Sequence, residues 1–179
     1  TIGKNDTDTG NAERFAAQHH HHVRYVHTWQ QWHTWTGLRW ERDESGKVEQ
    51  LGKRTVKSIQ TEARAENGDE RRKRIAAWAM KSEGAARRTA MLDLAKSEPD
   101  IAMRPVDFDR DPWLFNVLAG TIDIRTGVLQ PHDPKNFITK ISKIEYSPDA
   151  TCPVYQQFVV EIFRGNSELI EYLERWMGY

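Results

Sequence analysis

Several groups of side chains in this sequence are of types and spacings that could do chemistry. Asp107, Asp109 and Asp111 alternate in DFDRDP, and paired carboxylates are how polymerases and primases hold magnesium ions. A calcium loop is excluded, because Pro112 stands where such a loop needs glycine and Leu118 where it needs a bidentate Glu. With no further acidic partner evident, the three carboxylates read as caps of a turn before a strand at Leu114. His19 to His22, with His27 and His33 beyond, could chelate a transition metal through i, i+4 or cross-strand geometry. No acidic ligand lies nearby, and the single cysteine, Cys152, has no Cys or His at zinc-ligand spacing. The tract therefore reads as a polar surface, and no metal ligand is assigned. Nothing in the sequence orients His132 and Cys152 as a nucleophile pair, so no residue is assigned a catalytic role.

Lys53 and Arg54, with Lys57 a turn later, could follow a phosphate backbone. So could Arg71, Arg72, Lys73 and Arg74, and then Arg87 and Arg88. Cations in a helix's first turn oppose its macrodipole, so local stability does not account for the run at 71–74. An external anion such as DNA would compensate it. Glu66, Asp69 and Glu70 lie beside the run, however, and a solvated charged face is the competing reading. A phosphate-binding loop is absent: Gly3-Lys4, Gly46-Lys47 and Gly52-Lys53 are the Gly-Lys pairs, and none is followed by Ser or Thr. No nucleotide cofactor is assigned to these residues.

The elements that must position these groups can be read from the pattern. Residues 1–10 are small and polar, as in a linker, and a short helix is expected from Asn11 with Phe15 as its anchor. VRYVHTWQQWHTWTGLRWE is dense in aromatic and β-branched residues and predicts a hairpin or small meander turning at Thr36-Gly37. Its rings, with Leu38 and Trp40 on one face, are expected to cover the helical part. From about Val48 to Lys96 three helices are expected, broken near Asn67-Gly68 and Gly84. Ile75, Trp78 and Ala79 would be the inner stripe of the second helix, and Met91, Leu94 and Ala95 that of the third. FNVLAGTIDIRTGVLQPH predicts a second small sheet, turning at Ala119-Gly120 and again at Arg125-Thr126-Gly127. ITKISKIEY predicts a further alternating strand. A helix is expected from Pro153 to Gly165, then a last one capped by Asn166 or Ser167 with a stripe of Leu169, Ile170, Leu173, Trp176 and Met177. The fold class is α+β, a helical core with two small antiparallel sheets, as a single domain over 11–179 in which 48–99 is helical, 106–146 carries the second sheet and 152–179 two helices.

The balance of 38% hydrophobic and 29% charged residues over 179 positions suits one globular domain. Formal net charge is zero from 26 basic and 26 acidic residues, so no global field argues for nucleic acid. The distribution is uneven, with 14 Lys/Arg against 11 Asp/Glu in 41–99 and 8 against 12 in 100–179, which places any basic face in the middle third. No apolar run approaches the ~20 residues of a membrane span and no signal pattern opens the chain, so a cytoplasmic location is expected.

RYV near the start, W-x-x-W-x-G-x-x-W, FDRDPWLFNVLAGTIDIRTGVLQPH and YSPDATCPVYQQFVVEIFRGNSELIEYLERWMGY occur in that order. Together they resemble the N-terminal, pre-helicase region of phage and plasmid primase-helicases related to the poxvirus primase-helicase. The resemblance runs from about residue 13 to the end, with the usual Asn-Gly replaced by Ala119-Gly120. In that family the segment after a terminal Gly-Tyr like Gly178-Tyr179 continues into a superfamily 3 helicase motor, and a primase domain can precede it. The resemblance implies a replication role, with ATP and Mg belonging to the parent protein's motor. Expected partners are single-stranded or forked DNA, the motor domain of the same chain, and further copies in a homo-oligomer. The chain's own role would be to connect, oligomerise or guide DNA; alternatively, its Trp-rich hairpin would recruit other replication proteins without touching DNA.

Overall fold

The computed structural model describes residues 5–177 and separates the chain into two compact units, Thr1–Glu145 and Tyr146–Tyr179. Helix α1 spans Asp8–His19 and starts three residues earlier than expected, because Thr7 Oγ1 accepts the Gly10 N–H at 3.0 Å as an N-cap. Residues 1–4 of the expected linker lie outside the described residues. Strands β1 (Val23–Val26), β2 (Gln31–Trp35) and β3 (Trp40–Arg42) form the expected meander. Helices α2 (Lys47–Ala65), α3 (Asp69–Ser82) and α4 (Ala85–Ala95) follow, with breaks at Gly68 and Gly84. A two-residue strand, β4 (Ala102–Met103), then pairs in parallel with β1, so the sheet order is β3-β2-β1-β4. That parallel edge was not legible, since two residues carry no period.

Period-two alternation gives this sheet two dissimilar faces. Val23, Tyr25 and Trp32 pack with Phe15 of α1, Leu51 and Val56 of α2, and Met91 and Leu92 of α4. Leu92 takes an inner position in α4, whereas Leu94, expected inside, is exposed. On the opposite face Val26 and Trp40 pack with Phe108, flanked by Trp35, Met103 and Phe137. Trp32 thus covers the helices, and Trp40, expected there, is buried on the other side with Nε1 donating to the Pro134 carbonyl at 2.8 Å. Gly52 lets α2 and α4 approach, for a Cβ there would stand 3.1 Å from Met91 Cε. A second cluster joins Ile59 and Ala63 of α2 to Ile75 and Ala79 of α3, with Trp78 against it.

The second sheet is the antiparallel β5 (Leu114–Val117), β6 (Gly120–Asp123) and β7 (Val128–Gln130). Its first turn is Leu118-Ala119, one residue before the expected pair, and Gly120 opens β6. Glycine is required there because any side chain would run into the Gln130 carbonyl of β7. The expected strand over ITKISKIEY is a correction: only a single bridge, Val117 to Ser142, forms. Instead Asn116 holds the segment, its Nδ2 donating to the Lys140 carbonyl at 3.2 Å and its own carbonyl accepting from Ser142 N at 2.8 Å. In the second unit α5 (Pro153–Ile162) and α6 (Ser167–Met177) form as expected, with Asn166 Oδ1 capping Leu169 N at 3.2 Å. No helix among the described residues is long and apolar enough to cross a membrane.

Candidate nucleic-acid interface

The DFDRDP carboxylates sit in turns and each is engaged within the protein. Arg104 grips Asp107 through Nε and Nη2 at 3.0 and 2.9 Å, and these hydrogen bonds hold the Asp107 carboxyl below the usual carboxylate range. Asp109 accepts from Thr139 N at 2.8 Å and from the Thr139 hydroxyl, while Asp111 caps Trp113 N at 3.0 Å. The last is the turn cap read from the sequence. Among the described residues no three His, Cys, Asp or Glu side chains are grouped to hold a metal ion.

The histidines serve local structure. His19 Nε2 meets Thr55 Oγ1 of α2 at 3.0 Å, and burial lowers its pKa. His20 Nδ1 lies 3.1 Å from the Ala16 carbonyl and His27 Nε2 2.9 Å from the Lys96 carbonyl. His33 is buried between Trp29 and Phe108, and desolvation first, then Arg42, pushes its pKa down. His132 is taken up by Asn116 Oδ1 at 2.9 Å, and Cys152 is exposed.

The basic residues divide into two groups. In the first turns of α3 each cation of the run 71–74 has an acid: Arg71 pairs with Glu66 at 3.0 Å, Lys73 with Glu70 at 3.2 Å, Arg74 with Asp6 at 3.1 Å, and Arg72 with Asp69. Asp69 and Glu70 also occupy the first turn of α3, where negative charge suits the macrodipole. The compensation that an external anion was expected to provide is therefore available inside the molecule. Arg87 pairs with Asp8 at 3.1 Å and lies 4.5 Å over the Trp78 ring. Lys53, Arg54 and Lys57 of α2, by contrast, are exposed and in no ion pair with a described residue. The fold brings Lys53 and Lys57 together with Arg88 of α4 around a cleft of about 200 Å³. It does not bring them to the pairs around Arg71 and Arg74.

Sequence reasoning missed Arg64, which continues the exposed side of α2, although its spacing from Lys53, Lys57 and Gln60 was readable. It also missed Arg24, whose guanidinium lies 5.3 Å from the Trp40 ring and 5.2 Å from Phe137. That side chain lines a cleft of about 800 Å³ with Arg110 and Lys135, but Asp100, Asp107 and Asp111 share the walls and cancel the charge.

The chain belongs to the D5 N terminal like family, whose model matches residues 12–164, and is thus an N-terminal domain of the D5-like primase-helicases. No curated protein matches the chain.

Proposed function

We propose that this chain is the non-catalytic module of a phage- or plasmid-type DNA primase-helicase, guiding DNA to an ATP-dependent helicase motor and connecting it within a homo-oligomeric parent protein. ATP and Mg act at that motor. The observation that carries the reading is the family match across 12–164. The unpaired cations on α2 add to it, because exposed Lys and Arg without acidic partners are free to displace counterions from a phosphate backbone. The rival reading, docking of other replication proteins through the Trp-rich meander, is less well supported by the packing. Trp40 is fully buried and Trp32 faces the helices, which leaves Trp29, 42% exposed, as the most accessible ring of that segment.

Binding of single-stranded and forked DNA over a salt series tests the proposal. Affinity that falls steeply with salt supports it; a folded chain with no salt-dependent DNA binding would leave protein docking as the better account.

A further inference from the structure

We propose that the exposed side of α2 is a track for one strand of nucleic acid, held by its phosphates where α2 meets α4 and continuing along α2 toward α3. This rests on the reading of the chain as a DNA-contacting module. Lys53, Lys57, Gln60 and Arg64 fall at i, i+4, i+7 and i+11 and so form one straight row on the helix. At ~1.5 Å of rise per residue the row is about 16 Å long.

At one end lies the cleft of about 200 Å³ walled by Lys53, Lys57 and Arg88. Its one acidic wall residue is Glu83, whose carboxylate already accepts from Gln60 Nε2 at 2.9 Å. Three cations therefore face one partly engaged carboxylate, an excess of positive charge in a confined space. Arg88 donates one guanidinium N–H to the Glu83 carbonyl at 2.6 Å, while its Nε is buried with no hydrogen-bond partner. A buried donor left unpaired is costly, and a phosphate oxygen in the cleft would satisfy it with a charge-assisted bond.

At the other end is a cleft of about 470 Å³ that Arg64 shares with Ala63, Ala76 and Met80. Met80 is 74% exposed there, an adaptable apolar surface beside the cationic row. An unpaired base or its sugar has a free face to lay on such a floor, whereas a base in a duplex is already stacked. Arg72 and Lys73 on the far wall are held by exposed i, i+3 pairs, which are weak enough to exchange for phosphate.

The test measures anisotropy of a labelled oligothymidine and of a duplex of equal length over a salt series. Wild type is compared with the exposed triple variant Lys53→Glu/Lys57→Glu/Arg64→Glu and with Arg71→Glu/Arg74→Glu. The triple variant is expected to lose at least about tenfold in single-strand affinity and to flatten the salt slope by about 2, from three contacts at ~0.7 each. Unchanged affinity and slope in a triple variant that circular dichroism shows to be folded would overturn the track. If the Arg71/Arg74 variant alone weakens binding, DNA contact stands and the track falls. If wild type shows no salt-dependent binding, both fall. Equal losses on duplex and single strand would overturn the single-strand assignment. Inorganic phosphate binding that the triple variant abolishes while oligothymidine binding persists would reassign the cleft to a small phosphate and overturn the track.

Discussion

Asn11 of α1 accepts the indole N–H of Trp78 of α3 across 67 positions, Nε1 to Oδ1 at 3.0 Å. The same buried amide donates through Nδ2 to Ser82 Oγ at 3.0 Å, so one side chain from the first helix fixes two successive turns of the third. Trp78 in turn carries the Arg87 guanidinium over its ring, which links this polar contact to the start of α4.

Replacing Asn11 by Ala is therefore expected to destabilise the chain by about 2–4 kcal/mol, since each buried donor or acceptor left unpaired costs ~1–3 kcal/mol. Urea denaturation measures it. A loss below about 1 kcal/mol would mean that Trp78 and Ser82 find other partners.

Asn116 is the corresponding hub of the second sheet. Its Nδ2 donates to the Leu38 carbonyl at 2.9 Å as well as to Lys140, and its Oδ1 accepts from the Thr121 hydroxyl at 2.9 Å. Asn116→Asp keeps the acceptor but removes both donors and buries a charge, so it should cost more than Thr121→Val, which removes one hydroxyl at about 1 kcal/mol. Thermal melts of the two variants check the order.

Asp43 caps α2 from outside the helix, because Gly46 at the N-cap has no side chain to do so. Its carboxylate accepts from Ser45 N at 3.2 Å, Lys47 N at 3.0 Å and Val48 N at 2.8 Å. Burial alone would raise its pKa, but these backbone donors outweigh burial and hold it below the usual carboxylate value of 3.8. A depressed folded pKa contributes stability that is complete above the unfolded value and is lost as pH falls through the folded one. Asp43→Ala should cost about 1 kcal/mol at neutral pH, and the difference from wild type should shrink as pH falls below 3.8. A difference that stays constant through that range would show that charge on Asp43 contributes nothing.

His33 gives a test of the same sign in a higher pH range. Its pKa is lowered from 6.5 chiefly by burial, so the unfolded state takes up a proton first and stability should fall as pH drops below 6.5. His33→Phe should remove that part of the pH dependence, as chemical denaturation at a series of pH values would show.

What the sequence determined by itself was set by local periodicity and local chemistry. The stripe of Ile75, Trp78 and Ala79, the breaks at Gly68 and Gly84, the three-stranded meanders and the capped last helix all follow from spacings within one element. The missing phosphate loop and the family resemblance were equally legible, because both are carried by residue order. Tertiary structure decided how charge and polarity are spent. Arg74 finds Asp6 and Arg87 finds Asp8 across 68 and 79 positions, which no helix-wheel argument could supply. Which face Trp32 and Trp40 take depends on Phe108 and Phe137, brought from another segment to the far side of the sheet. The row on α2 was present in the spacing, but its cleft exists because Gly52 lets α4 come close enough for Arg88 to stand beside Lys53 and Lys57. A charge run and an unpaired charged surface differ for that reason: a run is a property of neighbours in sequence, whereas unpaired charge is a property of what folding places opposite it.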